Sequence, residues 1–371
     1  MEEIKQGYKQ TDIGAIPEDW KEGKIRNFCS MKSGNSITSE SISERGEFPC
    51  YGGNGLRGYT NKFTHSGKYT LVGRQGALCG NVNYVNSNFF ASEHAIVTTP
   101  FSYSDALFLA YAFERMNLNQ YTESSAQPGL SVNKVLELPF GCPPTLSEQT
   151  AIATALSDVD ALIAALDKKI TKKQQIKQGA MKQLLTAKTR LPGFKGEWVE
   201  KSIGEIIDYE QPTKYIVKST EYIGNGIPVL TAGKTFILGF TDENENVYAE
   251  TPVIIFDDFT TATKYVDFHF KVKSSAMKIL KLKNEDYDFR LIFEIMQLIN
   301  FPLSGHQRYW ISEYRNILIK VPNTYEEQIA ISQIITNMND GISKLEADRN
   351  KYEQIKWGMM QQLLTGKIRL I

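Results

Sequence analysis

Forty-four residues of this chain occur twice. The stretch from Glu148 to Leu191 returns without a gap, at an offset of 179, from Glu327 to Leu370, and 19 of the 44 aligned positions are identical. Both copies open on Glu-Gln-x-Ala-Ile and close on Gln-Leu-Leu-Thr-x-Lys-x-Arg-Leu. An internal repeat fixes the architecture more firmly than any local propensity. In the first copy Ile152, Leu156, Val159, Ile163, Leu166 and Ile170 follow each other at alternating spacings of 4 and 3. The second copy gives Ile331, Ile335, Met338, Ile342 and Leu345, then Arg349 and Tyr352. This is the seam of a helix that packs along another helix. Neither copy contains proline. Two long helices of equal length, pairing inside one chain, are therefore expected. Gly179 and Gly358 hold the same place in each and mark a close crossing or a bend.

Short phrases around the repeats extend the pattern. Ile16-Pro17-Glu18-Asp19-Trp20 near the N-terminus resembles Phe194-Lys195-Gly196-Glu197-Trp198, which follows the first repeat. The second repeat stops where the first runs on, and the N-terminal phrase supplies the missing piece. A circular arrangement with the chain ends close together follows. Two variable blocks lie between the repeats. Residues 21–145 carry short strand-like runs at Tyr69–Val72, Asn81–Val85 and Ala95–Thr98, then a helical run from Asp105 to Asn117. Residues 199–324 carry runs at Val229–Leu230, Val253–Phe256 and Met277–Leu282, then a helix from about Arg290 to Ile299. Each block exits through a short strand and a proline into its long helix, and Ser147 is the expected cap of the first. The blocks share an outline and very little sequence, which suggests two recognition modules on one frame. The expected segments are 1–145, 146–191, 192–324 and 325–371, and the fold class is α+β.

Several functions lack their residues. There is no Gly-x-x-x-x-Gly-Lys-Ser/Thr phosphate loop, no His-Glu-x-x-His, no Gly-x-Ser-x-Gly and no Asn/Asp-Pro-Pro-Tyr of an amino-methyltransferase. The histidines (His65, His94, His269, His306) lie far apart, so no metal site is expected. Gly53-Asn54-Gly55-Leu56-Arg57-Gly58 has the form of a dinucleotide loop, but the residues after it do not read as a helix, and a turn is the better reading. Asp257-Asp258 lacks a further acidic partner or a lysine at nuclease spacing. The four cysteines are scattered and read as reduced thiols of a cytoplasmic protein. No unbroken run approaches the ~18 apolar residues of a membrane span. Forty-two basic residues balance forty-two acidic ones, which leaves both DNA and protein partners open.

Side chains suited to duplex DNA stand on glycine-flanked, aromatic-rich stretches. Arginine pairs with guanine and Asn or Gln with adenine through two hydrogen bonds. The first block offers Arg57 and Tyr59, Arg74 and Gln75, Asn81, His94 and Lys134. The second offers Lys214, Lys218, Lys234 and Thr235, then Thr260, Thr261, Lys264 and Tyr265, then His306, Arg308 and Tyr309. Some of these would contact phosphate only and fix position without reading sequence.

The order variable block, repeated helix, variable block, repeated helix resembles the specificity subunit of Type I restriction–modification systems. The phrases ending in Trp20 and Trp198, the Glu-Gln-x-Ala-Ile openings and the Arg-Leu closings carry the resemblance over essentially the whole chain. It implies two α/β target recognition domains, each reading one half of a bipartite, asymmetric site on double-stranded DNA. It implies that the long helices run antiparallel as an intramolecular coiled coil and hold the domains apart, in a pseudo-twofold circular arrangement. It also implies no catalytic site in this chain. Two modification subunits would methylate adenine with S-adenosylmethionine, and restriction subunits would use ATP and magnesium. Helices of 30–40 residues at ~1.5 Å per residue span roughly 45–60 Å, one to two turns of DNA. The apolar residues at the helix ends, Met181, Leu184 and Leu185 with Met360, Leu363 and Leu364, have two readings. They form the partner-binding surface, or they pack under the neighbouring domain. Two other functions compete with the resemblance: a stand-alone DNA-modifying enzyme, and a coiled-coil scaffold carrying two ligand-binding β-domains.

Overall fold

A computed structural model describes residues 6–122, 128–232, 235–303 and 307–370. The chain divides into two compact units, Met1–Lys168 with Glu346–Ile371, and Lys169–Leu345. The division falls inside both long helices, Leu146–Leu184 and Tyr325–Leu363, each of 39 residues. Each unit thus holds the start of one repeat and the end of the other, so the four segments expected from the sequence are not the compact units.

The first unit is built on a six-stranded sheet. Its order is Cys29–Ser33, Ala95–Pro100, His65–Gly73, Val82–Ala91, Phe48–Gly52 and Gly55–Thr60. Only the contact between Val82–Ala91 and Phe48–Gly52 is parallel. Successive residues face opposite sides of a strand. Val72 and Ile96 accordingly enter one core with the helix Ala106–Met116, while Leu71 and Val97 enter another with Val85 and Phe89. Burial on both faces explains why neighbouring residues of one strand, Leu71-Val72 and Ile96-Val97, are both apolar. The glycines of the Gly53–Gly58 motif lie in a tight hairpin, with Gly53 and Asn54 at its turn and strand on either side.

The second unit repeats this order with a break. Ile207–Glu210, Met277–Leu282, Val253–Asp257 and Thr263–Val266 form one sheet. Lys271–Val272, Ile227–Leu230 and Ile237–Thr241 form another. In the first unit the ten-residue strand Val82–Ala91 bridges the corresponding halves. Here its place is taken by Thr263–Val266, antiparallel to Val253–Asp257, and by Lys271–Val272, parallel to Ile227–Leu230. Ile254, Phe256 and Leu280 pack toward the helix Phe289–Met296, and Val253, Ile255, Met277 and Ile279 toward the other core.

The expected seam is the buried stripe of both helices. Ile152, Leu156, Ile170, Ile331, Ile335 and Ile342 are buried and the remaining seam positions half-buried. Within the first unit Ile152 and Leu156 share a core with Met360, Leu363 and Leu364, so the start of one helix lies beside the end of the other. The second unit does the same with Met181, Leu184 and Leu185 beside Ile331 and Ile335. This corrects the reading of those six residues as a partner surface. They are the floor under each sheet module, together with Trp20 and Phe140 in the first unit and with Ile203, Ile206 and Trp310 in the second. With Ser147 as cap the helix would begin at Glu148; it begins two residues earlier, at Leu146, and Thr145 caps it, accepting from Glu148 N at 3.3 Å. A methyl group built on Gly179 or Gly358 meets nothing within 4 Å among the described residues, so neither glycine serves a close crossing there.

By length and composition the first long helix could also cross a membrane, with a window of mean hydropathy 1.3. One of its charged residues is instead engaged in protein contacts. Asp160 accepts from the Tyr111 hydroxyl at 2.7 Å and pairs with Lys356 at 2.9 Å.

Candidate nucleic-acid interface

At one end of the six-stranded sheet, five loops are tied together through their backbones. Asn35 N donates to Ala91 O at 2.9 Å, Ser92 N to Tyr51 O at 2.8 Å, Arg74 N to His94 O at 2.9 Å, and Leu130 N to Arg74 O at 2.9 Å. Gly53 sits in the middle. A side chain there would come within 3.0 Å of Gln75 O and 3.1 Å of His94 O. The stem of Arg57 crosses the face of Gly52, which has no side chain to obstruct it. Arg57 and Gln75 are exposed, Arg74 and His94 half-buried. His94 Nδ1 donates to Gln75 Oε1 at 3.0 Å, and its Nε2 lies 3.3 Å from Glu93 Oε1. Arg74, Gln75, Ser131 and Asn133 line a cleft of about 320 Å³.

The second unit makes the same four bonds with different residues. Val217 N donates to Val272 O at 3.0 Å, Lys273 N to Leu230 O at 2.8 Å, Asp258 N to Ala276 O at 3.3 Å, and Tyr309 N to Asp258 O at 3.0 Å. Backbone amides bond regardless of side chain, so one frame can carry unrelated surfaces. Where the first unit presents Ser92 the second presents Lys273, whose ammonium lies 5.6 Å from the Tyr222 ring centre. Where the first presents Arg74 the second turns Asp258 inward, to a buried pair with Lys278 at 3.5 Å and to Trp310 N at 2.9 Å. Asp257 accepts from the Thr260 hydroxyl at 2.5 Å and from Phe259 N at 2.9 Å. Both aspartates are thus engaged in holding a turn. Among the described residues no group of three or more His, Cys, Asp or Glu could hold a metal ion.

The structure gathers Arg57, Arg74, Gln75 and His94 into one surface and disperses the rest of the first set. Tyr59 is half-buried on the edge strand, where its backbone pairs with Ser43. Asn81 lines a different cleft with Asn117 and Asn119. Lys134 is exposed on the short helix Val132–Leu136, just beyond the cleft of Arg74.

In the second set Thr260 and Thr261 belong to the Asp257 turn, and Arg308 is exposed beside Tyr309. Lys214 folds over the Tyr215 ring at 4.9 Å. Lys218 is exposed, but its ammonium meets Glu245 at 3.1 Å and its amide meets Glu243, so acid already faces it. Thr235 and Lys264 are exposed without further definition. Lys234 and His306 lie outside the described residues. Two aromatic expectations are corrected. Tyr309 is fully buried against Phe301, and Tyr265 is packed on Phe289 and Phe293 with the Arg290 guanidinium 4.6 Å from its ring. Sequence reasoning missed Asn35, Glu93 and Lys273, and only the Gly34-Asn35 turn dipeptide offered a signal.

The repeated motifs have a shared geometry. Gln149 Oε1 accepts from Asp105 N at 2.8 Å, and its Nε2 donates to Tyr103 O at 3.1 Å and Pro143 O at 3.0 Å. Gln328 does the same for Asp288 N at 2.8 Å, Asp286 O at 3.3 Å and Pro322 O at 3.0 Å. Each glutamine thus locks the helix cap of its sheet module to its long helix. Glu148 and Glu327, each 2 % exposed, receive the arginine of the other repeat's closing phrase, Arg369 and Arg190 respectively. The N-terminal segment completes the first unit. Tyr8 donates to Gly366 O at 2.7 Å, and Asp19 binds Arg369 through both oxygens at 2.9 Å, which holds the Asp19 carboxyl below its usual range. In the second unit Trp198 takes the place of Trp20, and its Nε1 donates to Glu327 at 3.4 Å.

Comparison with known proteins shows the same duplication. A family model described as Type I restriction modification DNA specificity domain matches residues 17–178 and again 195–356. The EcoR124I/EcoR124II specificity subunit of Escherichia coli is 45% identical over 168 residues, 43% of this chain and 41% of that one. The match therefore spans about two fifths of that relative. The MjaVIII specificity subunit of Methanocaldococcus jannaschii is 24% identical over 99% of this chain and 97% of its own length. Among solved structures, the S subunit of a Type I restriction–modification system from M. genitalium shares the fold. Its TM-score is 0.68 at 18% identity, with 96% of this chain and 97% of that one covered.

Proposed function

The chain belongs to the family of Type I restriction-modification DNA specificity domains, and from that premise we propose that it is the sequence-reading subunit of such a system. Each unit reads one half of a bipartite, asymmetric site on double-stranded DNA. The observation that carries the reading is the repeated loop frame: four equivalent backbone bonds hold loops of unrelated side chains at the same end of each sheet. Such a pair of surfaces suits two different half-sites. The chain supplies no catalysis and holds no cofactor. S-adenosylmethionine, ATP and magnesium belong to two modification subunits and to the restriction subunits with which it assembles in the cytoplasm.

The partner surface lies on the outer faces of the long helices. Ile176 and Ile355 are equivalent residues of the two repeats, 49% and 38% exposed, and each stands three residues before a glycine with open space over it. Trp357 beside the second is 57% exposed. Mid-helix glycine costs roughly 0.5–1 kcal/mol relative to alanine. Its presence at both positions is accounted for by a partner helix that approaches the backbone closely.

The test is selection from a randomised duplex by the chain assembled with a modification subunit. Two short conserved blocks separated by unread bases are expected. Recovery of one continuous block, or of no preference from an intact assembly, overturns the proposal.

A further inference from the structure

We propose that Gln75 reads DNA as a hydrogen-bond donor only, because His94 ties back its carboxamide oxygen, and that it works beside Arg57 on acceptor-rich base edges. The inference rests on the DNA-reading role of the first unit and names the chemistry of its contact. A free glutamine recognises adenine with both ends of its amide, accepting from N6 and donating to N7. Gln75 lacks that freedom. Its oxygen receives His94 Nδ1–H at 3.0 Å, and its nitrogen has no partner among the described residues. The His94 backbone oxygen accepts from Arg74 N, which fixes the residue under Gln75. The Gln75 backbone is bridged to Gly129. The amide group therefore points its N–H bonds outward from a fixed base.

Arg57 has only donors to offer. Its stem lies over Gly52 while the backbone oxygens of Gln75 and His94 close on Gly53, so the two residues stand against consecutive glycines. A floor without side chains lets a base edge approach both. In the major groove, guanine presents two acceptors, N7 and O6, and thymine presents O4. Adenine offers a donor at N6 that a tied-back Gln75 cannot satisfy. The half-site read by the first unit should therefore contain guanine opposite Arg57, and guanine or thymine opposite Gln75. His94 is a positioning residue, since it acts through Gln75.

The experiment maps methylated sites at single-base resolution for the full chain in its assembled complex, with Gln75→Glu, His94→Ala and His94→Asn variants. Gln75→Glu replaces donors with acceptors that repel the acceptors of the base edge, and should cut methylation of the original site by about 10-fold or more. His94→Ala frees the carboxamide oxygen and should admit adenine at that one position. His94→Asn retains an N–H near the place of Nδ1 and should restore the original preference. Adenine at the Gln75-dependent position of the unaltered protein overturns the proposal. So does a preference unchanged in His94→Ala, or equal loss at every position in all three variants. Failure of the underlying reading looks different: the unaltered complex would then show no split site for any variant to change.

Discussion

Arg369 Nη2 donates to Glu148 Oε2 at 2.8 Å across 221 positions of sequence, and Arg190 makes the same contact with Glu327 at 2.6 Å across 137. Each arginine closes one repeat and each glutamate opens the other. This crossed pairing explains why the closing phrase Lys-x-Arg-Leu and the opening phrase Glu-Gln survive together in both copies while the helix between them varies. In each unit it fastens the end of one long helix to the beginning of the other.

Removing one partner of a buried ion pair strands the other charge, at a cost of about 3–5 kcal/mol. Arg190→Ala and Arg369→Ala are each expected to destabilise by about that amount, read from the midpoint of urea unfolding. The double change Arg190→Ala with Glu327→Gln should recover part of it. Full stability of both single variants would show that the crossed pairs do not fasten the two helices within each unit.

Gln149→Leu and Gln328→Leu each leave three backbone groups of a module-to-helix joint without their partner. Buried polar groups left unsatisfied cost ~1–3 kcal/mol apiece. A loss of at least ~3 kcal/mol is expected for each, seen as a lower unfolding temperature in calorimetry. A loss under ~1 kcal/mol would show that the glutamines are replaceable.

The two apolar sets on the long helices should separate cleanly. Met360→Ala and Leu184→Ala open core cavities and should lower stability by about 2–5 kcal/mol. Ile176→Ser and Ile355→Ser lie on exposed faces and should leave the unfolding temperature nearly unchanged while weakening co-purification with a modification subunit. The reverse pattern would return the partner surface to the helix ends.

Burial pushes the Cys29 and Cys142 thiols up to about 12 from an ordinary value near 9. Between those values the folded chain keeps protons that the unfolded chain releases. Their contribution to stability is therefore present below pH ~9 and declines as pH rises above it. Native protein at pH 8.5 should resist thiol reagents at both positions, and unfolding midpoints should fall between pH 9 and 11. Rapid labelling of either thiol in folded protein would contradict this.

The repeat and the seam were legible because a helix pair imposes its period on the sequence, and the crossed arginines and glutamates stand inside the repeated phrases. The recognition surface was less so. Its frame is made of backbone bonds between Arg74 and His94, or Asp258 and Ala276, which place no demand on residue type. Arg57, Arg74 and Gln75 are legible because glycines flank them, and His94 by its side-chain chemistry alone. Tyr309 was misjudged since an aromatic next to Arg308 reads alike in a core and on a surface. Lys273 lay hidden in a strand end with nothing to distinguish it from its neighbours. At the helix ends, the seam lapses at Lys173 and Lys177, and periodicity alone does not say that the apolar residues beyond turn under the sheet module.

The most direct test of the whole account is a base-resolved methylation map of the assembled complex carrying Arg57→Ala in one preparation and Lys273→Ala in another. The account predicts a split site in the unaltered protein, with each substitution relaxing a different half and leaving the unread spacer the same length. A continuous site, or both substitutions acting on the same half, would contradict it.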